Sequence, residues 1–183
     1  ELKAAFANGV NAQLVADIEV EIPVVSGKAG NFLTIKKGAT VKLDLNGFNI
    51  TAKTAEITAN GNTNLIINHG TFELNGEGKI SLKHVGINMG WNALSAVITN
   101  CGTAVINGGE IVHLGGTDMN YAIDNNSNGV VAELEINEGY ITSTYRPIRM
   151  FVNGRNITVN INGGTVEAGN NCALWLQHSN TVY

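Results

Sequence analysis

Apolar and polar residues alternate in short runs along most of the chain, and turn residues interrupt the runs every few positions. Val41-Lys42-Leu43-Asp44-Leu45 is a clear case. A period of two marks a strand with one buried face. Only the start reads differently: Leu2, Ala5 and Phe6 fall at helical spacing, Gly9 ends the pattern, and Leu14, Ile18 and Val20 begin extended chain. The expectation is a cap over residues 1–22, a short helix with a lead-in strand, followed by strands over residues 23–183. Such a cap hides an otherwise unpaired strand edge.

The strands carry a repeat. One phrase occurs four times: Ile67-Asn68-His69-Gly70, Ile106-Asn107-Gly108-Gly109, Ile136-Asn137-Glu138-Gly139 and Ile161-Asn162-Gly163-Gly164. Each is followed by an apolar position, Phe72, Ile111, Ile141 or Val166. Val97, Ile123, Ile148 and Leu174 give a second ruler, with steps that agree to within a single position. Leu33 to Ile57 adds a step of similar length. Ile57 to Val97 is more than half as long again, which reads as an inserted loop, with a degenerate extra turn as the alternative, around Gly76-Glu77-Gly78 and residues 86–91.

Units of this length built from short strands cannot bury an apolar face alone and must stack. The fold class expected is all-β, a right-handed parallel β-helix solenoid with a short N-terminal capping helix. Leucine-rich repeats share the period but not the Ile/Val-Asn-x-Gly skeleton. An antiparallel sandwich does not produce one turn phrase at a fixed coil length. Stacking would set Asn68, Asn107, Asn137 and Asn162 at equivalent corners as a structural asparagine ladder. The last strand, around Leu174 and Leu176, has no cap of its own in the sequence, so further chain or a partner is expected there.

Composition narrows the function. The 22 Gly and 26 Asn serve turns, since β-branched residues are too frequent for disorder. A net charge of −4 offers no basic stripe for nucleic acid, and no run approaches the roughly 20 apolar residues of a membrane span, so neither nucleic-acid binding nor membrane insertion is expected. Two cysteines, Cys101 and Cys172, make no disulfide framework.

Residues 32–51, with Leu2-Lys3-Ala4-Ala5-Phe6-Ala7-Asn8-Gly9 before them and Ile161-Asn162-Gly163-Gly164-Thr165-Val166 after, resemble the pectate-lyase-like β-helix superfamily. More narrowly they are similar to non-catalytic modules of bacteriophage fibres or spikes and of bacterial surface proteins. The resemblance implies a structural or adhesive role at a virion or cell surface, a homotrimer or attachment to further fibre chain, and a host-surface polysaccharide as ligand. The superfamily also includes polysaccharide lyases and glycoside hydrolases, so function has to be argued from a site.

The sequence provides no catalytic set, metal site or cofactor motif. Its four aspartates, Asp17, Asp44, Asp118 and Asp124, are not clustered for calcium. Glycoside hydrolysis needs two carboxylates about 5 to 9.5 Å apart, which stacking of Glu110 with Asp124 or Glu138 could supply. His69, His84, His113 and His178 lack zinc spacing and read as turn or surface residues. If Ile123 and Ile148 point inward, Asp124, Arg149 and Trp175 stack outward, flanked by Tyr121, Tyr145, Arg146 and His178. That strip of rings and charges is the candidate ligand-binding surface; the competing reading is an ordinary solvated face on which Arg149 pairs with Asp124.

Overall fold

A computed structural model describes residues 1–87, 93–116, 119–127, 130–153 and 156–178. The chain winds as a parallel β-solenoid of about five turns. Each coil contributes to three faces. The first carries Ala12–Gln13, Thr40–Asp44, Thr71–Asn75 and Ile157–Ile161; the second carries Ile18–Ile22, Asn49–Thr54, Lys79–Lys83 and Thr165–Ala168. Thr103–Leu114 and Ala132–Ser143 run through the corner and serve both of these faces, which therefore form one ten-stranded sheet. The third face is a six-stranded sheet of Asn31–Ile35, Thr63–Asn68, Ser95–Asn100, Asn120–Asn126, Ile148–Val152 and Leu174–His178. Pairing is parallel except in the small hairpin of Val24–Val25 with Lys28–Ala29.

Three apolar columns fill the interior. Leu43, Leu74, Ile106, Ile136 and Ile161 stack behind the first face. Ile18, Ile50, Ile80, Ile111, Ile141 and Val166 stack behind the second. Leu33, Ile66, Ile98, Ile123, Ile148 and Leu174 stack behind the third. Their members between the end coils are buried in one continuous core, where each such side chain contributes about 1.5 to 3 kcal/mol.

The third column corrects the ruler. Ile98, not Val97, is the partner of Ile123. Both are fully buried, so Ser95–Asn100 shows no alternation by which sequence could phase it. Ile57 is not a rung of this face; it bridges to Gly86 in the corner between the second and third faces. The long interval from Ile57 to Val97 is no insertion at Gly76 to Gly78, which is the ordinary corner between Thr71–Asn75 and Lys79–Lys83; residues 88–91 lie outside the described part.

Coil length changes along the axis. On the third face the steps from Leu33 to Ile66 and from Ile66 to Ile98 are long, and those from Ile98 to Ile123 and from Ile123 to Ile148 are markedly shorter. The loss is in the corner leading from the second face to the third. There the path from Ile80 to Ile98 is more than twice as long as the path from Ile141 to Ile148. The corner leading from the third face to the first lengthens instead, so that Ile123 to Ile136 is more than half as long again as Ile98 to Ile106.

The two ends differ. Leu2–Asn8 forms the helix, closed by Gly9 at φ +66°, and its Phe6 is buried with its ring centroid 6.0 Å from that of Phe72. At the opposite end Ile161, Leu174 and Leu176 are 44%, 39% and 64% exposed.

Candidate functional site

The asparagines form two columns rather than one. Asn137 donates to Asn107 at 2.9 Å, Asn162 donates to Asn137 at 2.8 Å, and Asn107 reaches Asn75 at 3.1 Å. This column lies at the corner between the first and second faces and is partly open to solvent. Asn68 does not belong to it. It donates to Asn100 at 2.8 Å, and Asn100 donates to Asn125 at 2.7 Å, in a sealed column at the corner between the third and first faces. There each amide also bonds the carbonyl at the start of the next first-face strand, Thr103 for Asn68 and Glu133 for Asn100. Both corners use Asn-x-Gly, one amide to hold backbone and a glycine to let coils approach, so the phrase alone does not separate them.

Asp124, Arg149 and Trp175 do lie in register on the third face. The expected open strip, however, is largely closed: Tyr121, Asp124 and Arg149 are buried. Arg149 grips Asp124 with two bonds, Nε to Oδ1 at 2.6 Å and Nη2 to Oδ2 at 2.9 Å, and donates through Nη1 to Gln177 at 3.1 Å. Its guanidinium also stands 5.0 Å from the Tyr121 ring and 4.7 Å from the Phe151 ring. Burial opposes its charge, but the adjacent Asp124 carboxylate more than offsets this and raises its pKa. A two-pronged pair of this kind fixes geometry, and in this arrangement neither partner is presented to a ligand. Alternation along the strand identified the correct face; it could not show that neighbouring rings would cover it.

What remains accessible is smaller. Arg146 lies 4.1 Å from the Trp175 ring and 4.9 Å from the Tyr145 ring, and donates from Nε to Asn171 at 3.2 Å. Asn171 in turn donates to the Tyr145 hydroxyl at 3.2 Å, and Tyr121 stacks on Trp175 at 6.2 Å. All of Tyr145, Arg146 and Trp175 are half-buried. His178 enters the row by its backbone beside Val152; its side chain lies outside the described part.

A concave site that the sequence reading missed lies at the corner between the third and first faces, a cleft of about 640 Å³. Thr34, Lys36, Lys37 and His69 line one part, and Cys101 with Val130 and Val131 line the rest. Burial, with Asp124 adding to it, pushes the Cys101 thiol up to about 11, so it stays protonated and is no nucleophile at neutral pH. The residues come from four successive coils, at sequence distances no short motif would join.

Of the carboxylate pairs that stacking could supply, Glu110 with Asp124 is ruled out because the two stand on different faces. Glu110 stands in register with Lys79 and Tyr140 on the second face, 3.8 Å from the Lys79 ammonium, while Asp124 is on the third face. Glu138 is opposite Asn107. Two histidines expected at the surface are interior instead. His113 is fully buried, with Nε2 2.8 Å from the Ser95 hydroxyl, and His84 holds the Ile87 carbonyl at 2.7 Å. Burial, with His84 adding to it, lowers the His113 pKa to about 3, which keeps the ring neutral. Among the described residues neither Nδ1 has a hydrogen-bond partner. Among the described residues no three His, Cys, Asp or Glu side chains gather as a metal site, and no helix is long and apolar enough to cross a membrane. Asp118 lies outside the described residues.

Set against known proteins, the chain matches no family model, no curated protein and no solved structure.

Proposed function

We propose that the chain is a structural and adhesive module, a segment of stiff β-solenoid in a phage virion fibre or spike, or alternatively in a bacterial cell-surface adhesin. The observation that carries this reading is the contrast between its ends. One end is closed by Leu2–Asn8 with Phe6 buried beneath it; the other presents Ile161, Leu174 and Leu176 to solvent. Isolated proteins avoid an open strand edge with apolar core behind it, whereas a segment of a longer assembly needs one. The partner is further chain of the same fibre or the other two copies of a homotrimer, outside the cell, and the surface recognised is a host polysaccharide.

Light scattering at micromolar concentration tests the assembly. The expected result is a trimer or a larger species that Leu174→Glu with Leu176→Glu converts to monomer. A pull-down with intact cells or surface polysaccharide tests adhesion. A stable monomer indifferent to those substitutions, together with no retention on any surface, overturns the reading. Turnover of mixed polysaccharides, followed by reducing ends and unsaturated products and lost in Glu110→Gln, would replace it with a carbohydrate-active enzyme, a lyase or glycoside hydrolase.

A further inference from the structure

The cleft between the third and first faces is built by the change in coil length. Three consecutive coils turn this corner tightly. Their turns place Lys36 and Lys37, then His69, then Cys101 and Gly102 side by side along the axis. The fourth coil takes a longer path, from Ile123 to Ile136, than the coil before it takes from Ile98 to Ile106. It contributes Val130 and Val131 to the lining of the same cleft.

The chemistry of the lining is one-sided. Lys36, Lys37 and His69 are exposed, and neither lysine has an acidic partner among the described residues, whereas Lys42, Lys53 and Lys79 are paired with Glu73, Glu21 and Glu110. Two unpaired ammonium groups on a chain of net charge −4 are a local reversal of sign, and such a reversal in a concave site concentrates anions. In the same lining, Val131 is 53% exposed and offers apolar contact. The volume falls in the range, about 300 to 1,000 Å³, of small-molecule sites.

We propose that this cleft binds a small organic anion, its carboxylate or phosphate held by Lys36 and Lys37 with His69 as a further hydrogen-bond donor, and its apolar side against Val130 and Val131. Cys101, also in the lining, stays protonated and takes no part in bond making. The site stands whether or not the module is adhesive, because it rests on charge and shape within one chain.

Titration of the intact protein with glucuronate, glucose 6-phosphate and glucose, followed by NMR shifts of His69 and the Val131 methyls, tests it. Glucuronate and glucose 6-phosphate test the carboxylate and phosphate arms separately. The expected outcome is saturable binding of at least one of them, weakened at least tenfold by Lys36→Ala with Lys37→Ala and unchanged by Lys83→Ala, an exposed lysine on the second face. Val131→Trp, which fills the mouth of the cleft, should abolish binding while leaving the surface lysines in place. Equal shifts with glucose, or anion binding that survives both the double-lysine and Val131 variants, overturns the proposal. Inorganic phosphate alone shifting the same signals as strongly as glucose 6-phosphate would remove the apolar half of it.

Discussion

Two corners of the same solenoid solve one problem in opposite environments. At the corner between the third and first faces, Asn68, Asn100 and Asn125 are sealed from water and every amide bonds both along the stack and across to backbone. Between the first and second faces, Asn75, Asn107, Asn137 and Asn162 form the same kind of stack at the surface, and water can replace any bond that is lost. The difference teaches that a ladder's contribution depends on what happens to the groups left behind. A sealed donor or acceptor that loses its partner costs about 1–3 kcal/mol, while a solvated one costs little.

The sharpest test is Asn100→Ala. It strands the amides of Asn68 and Asn125 and the carbonyl of Glu133 together, so a loss of roughly 3–5 kcal/mol is expected in denaturant unfolding. A change below about 1 kcal/mol would mean that water enters this corner.

His113 extends the comparison to a titrating group in the sealed interior. Its pKa is about 3 in the fold against 6.5 unperturbed. Below pH 6.5 the unfolded chain takes up a proton that the folded chain refuses until about pH 3. Stability therefore falls with acidification across that window, by up to about 1.4 kcal/mol per pH unit from this group, and the contribution is complete above pH 6.5. Over two pH units the expected loss is about 2–3 kcal/mol. In His113→Leu the slope of stability against pH should flatten by that amount, measured by urea melts from neutral pH down to about pH 4; parallel slopes would show that the ring reaches water.

Gly102→Ala probes how closely the coils approach at the sealed corner. A Cβ there would collide with the Gly70 carbonyl oxygen, a backbone atom that has no easy retreat. A cost of about 1–3 kcal/mol is expected, as for overpacking elsewhere, read as a lowered denaturation midpoint. Asn162→Ala, at the exposed end of the other column, should change stability by no more than about 0.5 kcal/mol. If it costs as much as Asn100→Ala, the contrast between the two corners fails.

The fold was legible because stacking forces a column of like residues: Ile123, Ile148 and Leu174 repeat at nearly constant spacing, and Ile106, Ile136 and Ile161 each carry Asn and Gly behind them. The register was less so. Ile67-Asn68-His69-Gly70 has the letters of the surface phrase but turns the sealed corner, because amide and glycine answer both needs. Val97 and Ile98 are both interior, so alternation could not choose between them. Asp124 and Arg149 were placed in register on one face, and their pairing was one of two readings, on a solvated surface; their burial involves Tyr121, Phe151 and Gln177, which come from neighbouring positions on three different coils. The cleft was invisible for a similar reason: Lys36, His69, Cys101 and Val131 become neighbours only once coil lengths are known.

The hydrogen bonds joining coil to coil run along the solenoid axis, which gives the molecule a mechanical character. Tension on its two ends loads the rungs in series, as links of a chain, so the force it survives is that of its weakest rung and not the sum of all. The weakest link is at the open end, where the final coil holds its neighbour through Ile157–Ile161, Thr165–Ala168 and Leu174–His178 with half-exposed side chains behind them. A rod of this construction yields first at that coil, and burying Leu174 and Leu176 would raise the force at which it does so.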